Sequence, residues 1–419
     1  MKKYLIIVGI VLVVIALMTM YNQRLNNDAA NQRTNKATQY TNNIELLIPT
    51  TTQPTTETSV DTNNTDISGA DGVVLSQDEA VADYNYMWQV LEDNYAFFGV
   101  AKRKYGVDKD SVKQKYLDEI MQKGSINIYS FNLIINQCRS EFHGCGELSY
   151  TDYASMASSS AAAIIDINNN VSFNIIDGKT AYMKINSMDS HCINTDYEKI
   201  INFYSQIKDC ENLIIDITGN TGEDINYWLN NIVKQNIDTK TEYDEYFYIK
   251  PGKENLESLN IRYGIDGGKL DNLAVPPDKM PDMPGINSDD LKMFDRLYKS
   301  ALEISPAEDN PNGKKQFNGN IYLLIDNKVT AEADNFAAFC RETGFATIVG
   351  TMWGSSGGRG YHHFNLITLP NSGLTFTYGT MYMLNANGSC NEEYGTLPEY
   401  ICRDGETPLD ACLRVIAGK

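Results

Sequence analysis

Positive charge is scarce in this 419-residue chain: 35 Lys and Arg stand against 54 Asp and Glu, a formal net charge of -19. Phosphate binding needs clustered cations, so the balance argues against nucleic acid or an anionic lipid surface as the main partner. The acid is spread along the chain, the pattern of a soluble charged surface. No cysteine precedes Cys138; the eight present are at positions 138, 145, 192, 210, 340, 390, 402 and 412. None makes a CxxC pair, which argues against a zinc ribbon, and no metal or cofactor is indicated. If this part of the chain is extracellular, disulfides are permitted, with Cys138/Cys145 and the 390/402/412 group nearest in sequence. Spacing does not give the pairing.

One uncharged run stands out, the seventeen residues Tyr4 to Met20. It is at the short limit for a membrane-spanning helix and somewhat long for a signal-peptide core. No small-x-small site follows, the next residues being Tyr21-Asn22-Gln23-Arg24, so an uncleaved anchor is favoured over a removed signal. Lys2 and Lys3 ahead of it favour a cytoplasmic N-terminus, with the rest outside the cell. Residues 22 to 80 are rich in Asn, Thr, Gln and Asp and poor in large apolar groups, too little to offset the entropy of ordering them. They read as a stalk that gives reach. The expected organisation is an anchor over 1–21, a stalk over 22–75, a helical subdomain over 76–150 and an α/β domain over 151–419, giving a single-pass cell-membrane protein with its C-terminal domain extracellular.

Ser76 with Glu79 offers a capping box, and Ala80, Tyr84, Met87, Trp88 and Leu91 fall on one helical face. A further helix is expected from Ile128 to Glu141, ending in Phe142-His143-Gly144. Beyond it, Thr180–Ile185 alternate as a strand, 197–207 make an amphipathic helix and 212–217 a buried strand. Strands alternating with helices imply a parallel sheet with right-handed crossovers. Residues 250–316 carry much of the Pro and Asp, and read as a long surface excursion with one helix, Ser288 to Ile304.

The most informative stretch is 318–358. Ile321–Ile325 are an unbroken apolar run, Asp326-Asn327-Lys328 break it with turn chemistry, and Ala333, Phe336, Ala337 and Cys340 take helical spacing up to Gly344. Residues 346–349 form another short strand. Cys340 lies on the apolar face of that helix and reads as a small core residue. In a strand-turn-helix the first helical residues present free N–H groups at the sheet's carboxyl edge, where a nucleophile and an oxyanion site can be built.

A helical start and five separated motifs resemble, in order along the chain, those of the tail-specific or C-terminal processing serine peptidases and their tricorn-like and interphotoreceptor-retinoid-binding-protein-like relatives. The helical start with Asn94-Tyr95-Ala96-Phe97-Phe98 is similar to that of Gram-positive members. Glu141-Phe142-His143-Gly144 resembles the family's Asp-Gly-His-Thr turn, Thr218-Gly219-Asn220-Thr221-Gly222 its Arg-Gly-Asn-x-Gly-Gly turn, and Glu392-x-x-Gly395-x-x-Pro398-Glu399 its closing motif. The stretch around residue 331 corresponds to Thr-x-Ser-Ala-x-Glu, and Gly350 to Gly357 to the turn that carries a lysine.

The resemblance implies a ClpP/crotonase-like α/β core with a parallel crossover sheet, preceded by a helical subdomain, and endoproteolysis by acyl transfer without a metal. Residues 151–180 leave no room for the PDZ module that many members insert there. It implies His143 as general base, Glu392 in the catalytic hydrogen-bond network, and the N–H groups of Gly219 and Glu332 as oxyanion donors. The nucleophile falls on Ala331, and a one-residue shift would put Glu332 there; no Ser lies between Asn327 and Cys340. Ser356 occupies the lysine position, so a Ser-Lys dyad is absent at both ends. The expectation is a membrane-anchored, serine-peptidase-like protein that binds polypeptide and cleaves it weakly or not at all. Two other readings stay open: an active hydrolase using Thr330 or a displaced serine, and a purely polypeptide-binding surface.

Overall fold

The computed structural model describes residues 73–150, 169–265, 269–308, 314–360 and 363–418. The anchor expected over 1–21 and the stalk up to residue 72 lie outside the described residues, as do residues 151–168 of the segment judged too short for an inserted module. Among the described residues no helix is long and apolar enough to cross a membrane.

Ser76 and Glu79 form the expected capping box: the Glu79 N–H donates to Ser76 Oγ at 3.3 Å, and the Ser76 N–H to the Glu79 carboxylate at 2.8 Å. They open α1 (Gln77–Asn94), which buries Tyr84, Met87, Trp88 and Leu91. Helices α2 (Phe98–Tyr105), α3 (Lys109–Gln122) and α4 (Ile128–Ser140) follow, the last two capped by Asp108 and Asn127. Their core is shared with the later chain: Trp88, Phe97, Phe131 and Phe142 cluster with Phe376, Tyr378, Tyr382 and Cys390.

The central sheet is built from β1 (Val171–Ile175), β2 (Thr180–Ile185), then α5 (Ile193–Gln206) and β3 (Asn212–Asp216). A helical segment from Ile225 relaxes into π geometry over Leu229–Val233 and leads to β4 (Thr241–Tyr248) and α6 (Lys253–Ile265). Next come β5 (Leu297–Ile304), β6 (Asn320–Ile325), α7 (Glu332–Thr343) and β7 (Thr347–Gly350). The chain closes with β8 (Phe364–Thr368), β9 (Thr375–Gly379), β10 (Tyr400–Ile401) and α8 (Pro408–Ile416). The six-stranded order is β10-β7-β6-β3-β2-β1, parallel throughout except for the antiparallel edge strand β1. Both faces are covered, as a parallel sheet requires. Leu213, Ile215, Leu323, Ile325 and Ile348 meet α5, α7 and the π-containing segment, while Ile214, Leu324 and Val349 meet α8.

Two elements of the 250–316 stretch differ from expectation, the first being the helix α6 over Lys253–Ile265, where the sequence reads only as surface loop. The helix read over Ser288–Ile304 is a single turn, Ser288–Leu291, and Leu297–Ile304 is the strand β5, paired antiparallel with β4 along its length. Its apolar spacing suits either structure, and pairing with the aromatic-rich β4 decides. All eight cysteines are unpaired thiols, and Cys340 is buried in the core as expected.

Candidate functional site

Three loops meet at the carboxyl ends of β3, β6 and β7, the place where an open α/β sheet leaves a crevice for ligands. Backbone bonds lace them together. The Thr330 N–H donates to Asn220 O at 3.2 Å, Ala331 N–H to Gly357 O at 3.2 Å, Glu332 N–H to Gly222 O at 3.1 Å, and Ser356 N–H to Val329 O at 2.8 Å. Asp326, directly after β6, accepts from the N–H groups of Gly219 at 2.8 Å and Lys328 at 3.1 Å. A fourth segment, 390–396, closes the back. Gly357 has φ 85°, and a Cβ there would lie 2.3 Å from Asn391 O, so only glycine allows the approach.

Ala331 stands at the junction of the turn with α7, at φ 56° and ψ -130°, and is 3% exposed. Non-glycine residues rarely adopt this backbone, which costs on the order of 1–3 kcal/mol and persists only where the surroundings impose it. Here the bond to Gly357 O and the Asn335 N–H bond to Ala331 O at 3.0 Å impose it. The sharp strand-to-helix turn is the geometry that presents a nucleophile in hydrolases of α/β type. The side chain presented is a methyl group.

The other expected residues divide. Glu392 is brought to the site: it is buried, it lines one small cavity with Gly146 and Glu147, and its Cα abuts Gly357. Burial, opposed in part by Lys104, raises its carboxyl to about 7. His143 is not brought in. Its imidazole is exposed against the Tyr105 ring, centroids 4.6 Å apart, with Glu141 as its charged neighbour. The cause is local: left-handed backbone at His143 and Gly144 turns the chain at the end of α4, so that Cys145 and Gly146 face inward instead.

Neither expected oxyanion donor is open to a substrate oxygen, because the Gly219 N–H is held by Asp326 and the Glu332 N–H by the Gly222 carbonyl. Ser356 spends its hydroxyl on Asn327 O, and Thr330 donates its own to Gly357 O at 3.0 Å. Among the described residues no group of acids, histidines and cysteines is placed to hold a metal.

Several residues that the motifs did not indicate belong to the site. Asp334, fully buried, accepts from Ser355 Oγ and from Asn391 Nδ2 at 2.8 Å, so one carboxylate pins α7 to two loops. Arg359 is buried with its guanidinium on Tyr243 Oη and within 3.5 Å of Glu245 and Glu342, and its N–H reaches Asn391 Oδ1 at 3.2 Å. Glu332 is buried against Trp228 and Asn335, and that burial raises its carboxyl to about 7. Glu147 lines a cavity of about 10 Å³ together with Phe97, Arg359, Asn391 and Glu392. Burial, with the Glu223 and Glu392 carboxylates nearby, raises Glu147 to about 8. A signal for it did exist: setting the glycine of the Asp-Gly-His-Thr turn on Gly146 places Glu147 on the histidine.

Residues 179–402, more than half of the chain, match the family described as Peptidase family S41. The chain belongs to peptidase family S41. No curated protein matches it in sequence. Among solved structures, a candidate peptidase from Parabacteroides merdae ATCC 43184 is 16% identical with a TM-score of 0.53, over 82% of this chain and 96% of that one. Mature CPAF in complex with lactacystin is 12% identical with a TM-score of 0.52, over 82% of this chain and 96% of that one. At these identities the likeness is one of fold, and the S41 fold is the α/β architecture with leading helices described above. Membership of a peptidase family supports proteolysis as the function and polypeptide as the substrate class.

Proposed function

We propose that this S41 protein binds polypeptide across the loops at the carboxyl ends of β3, β6 and β7, and that position 331 is where the family's nucleophile stands. The backbone of Ala331 carries this reading: a strained, glycine-like conformation at a strand-to-helix turn is costly for a residue with no task there. A methyl group cannot form an acyl bond, so the chain as written binds with at most residual cleavage. Thr330 is disfavoured as a substitute because its hydroxyl is already held by Gly357 O.

Peptide hydrolysis by the full chain, beside Ala331→Ser, tests the reading. The expected result is turnover by the serine variant alone, on the order of 100-fold above the parent, with an acyl-enzyme detectable by mass. Equal turnover by the parent would overturn the nucleophile assignment. The location is part of the proposal: Lys2, Lys3 and the uncharged Tyr4–Met20 support a single-pass anchor with the S41 domain outside the cell. Protease added to intact cells is expected to release the domain, and its full protection would sink this location.

A further inference from the structure

We propose that Glu147, paired with Glu392, holds the proton-accepting position of this site that the family motif assigned to His143. The inference rests on the reading of position 331 as the nucleophile position. Its ground is placement. One carboxylate oxygen of Glu147, Oε2, is buried with no hydrogen-bond partner, although the residue lines the same small cavity as Glu392 and Asn391. An unpaired buried carboxylate oxygen is costly, and such groups concentrate where a task retains them.

The neighbours locate that oxygen relative to residue 331. On one side, Asn391 O and Glu392 Cα abut Gly357, whose carbonyl accepts the Ala331 N–H. On the other, Glu223, whose charge bears on Glu147, follows Gly222, whose carbonyl accepts the Glu332 N–H. Glu147 therefore shares its cavity with Asn391 and Glu392, which abut the Gly357 that holds the Ala331 N–H, while the His143 imidazole is exposed against Tyr105. Phe97 packs against Gly146, where a Cβ would lie 2.2 Å from its ring, and this fixes the approach of residues 145–147 to the cavity. Arg359, with its Nε buried and unpaired, lines the same cavity, its other guanidinium nitrogens engaged by Tyr243, Glu245 and Glu342.

A carboxyl pair in one enclosed site shares a proton, so one member is a carboxylate able to accept and the other a neutral acid. With a hydroxyl supplied by Ala331→Ser, the proton moves from that oxygen to the Glu147 carboxylate as the oxygen bonds to the substrate carbonyl carbon. The carbonyl π electrons move onto its oxygen. When the tetrahedral species collapses, the C–N bond breaks and the proton passes from Glu147 to the departing amine. Water then repeats the sequence: its proton goes to Glu147, its oxygen attacks the ester, and the proton returns to the serine oxygen.

The test does not depend on turnover. Alkylation of the thiol introduced by Ala331→Cys is followed against pH with iodoacetamide. Adjacent carboxylates hold a thiol's titration midpoint high, so Glu147→Gln in this background is expected to lower the midpoint by a unit or more, and His143→Ala to leave it unmoved. A midpoint that follows His143→Ala and ignores Glu147→Gln overturns the assignment. In the Ala331→Ser protein, Glu147→Gln is expected to cut turnover at least 100-fold, and Glu147→His to restore activity with a shifted pH profile.

If the thiol responds to Glu147 but Ala331→Ser cleaves nothing, the Glu147 assignment stands and the peptidase reading falls. If Ala331→Ser cleaves and Glu147→Gln leaves its rate within twofold, the reverse holds. A thiol inert at every pH overturns both.

Discussion

Ala331 sits in a backbone conformation that alanine tolerates poorly, and the strain is measurable without any substrate. Glycine relieves it at a smaller entropic cost, so Ala331→Gly is expected to stabilise the protein by about 1 kcal/mol, and the β-branched Ala331→Val to destabilise it, read as shifts in the urea midpoint. The buried acids make a second residue-scale prediction. Glu332 and Glu392, each raised from 4.5 to about 7, bind their protons more tightly in the folded state than in the unfolded chain. Their contribution is fully present below about pH 4.5 and is lost as pH rises toward 7, at roughly 1 kcal/mol per pH unit per group, then levels off. Thermal melts from pH 5 to 8 should show this fall in both the parent and Glu392→Gln, but with a shallower slope in the latter. An unchanged slope would mean that Glu392 is not buried as described.

At the scale of elements, the site is a set of loops tied to the first turns of α7, and the ties are side chains distant in sequence. Ser355 Oγ links Asp334 on α7 to the N–H of Thr396, which donates to it at 2.6 Å. Ser355→Ala leaves a fully buried carboxylate short of one donor and strands a buried N–H. A loss of about 2–4 kcal/mol is expected by calorimetry or urea titration. A change below 0.5 kcal/mol would show that the loops hold together without this pin. The elements themselves were largely legible. The capping box of α1, the strand Thr180–Ile185 and the helix after Asp326 rest on local chemistry that the sequence states outright. Leu297–Ile304 was not legible as a strand, because its spacing fits a helix and only the partner β4, about fifty residues earlier, selects the ladder.

Over the whole molecule, the leading helices share an apolar core with later strands that lie outside the six-stranded sheet, so these parts are expected to unfold together. Trp88, fully buried, packs on Phe98 and Phe142, and its cluster includes Tyr378, Tyr382 and Cys390 from beyond the sheet. Trp88→Ala is expected to cost about 3–5 kcal/mol and to lower a single transition seen alike by far-UV dichroism and aromatic fluorescence. Two separated transitions would refute the shared core. The same packing builds the site, since Gly146 and Glu147 at the end of the helical region line one cavity with Asn391 and Glu392.

The sequence by itself determined the S41 motifs, their order, the alternation of strand and helix and the alanine at position 331, because each is written in neighbouring residues. It did not determine which carboxylates face each other or which N–H groups remain open. Those depend on left-handed turns at 143–147 and on contacts such as Gly357 against Asn391, set only when segments far apart in the chain pack together. His143 and Glu147 are four residues apart in one turn, and local chemistry alone does not say which of them the finished core turns inward.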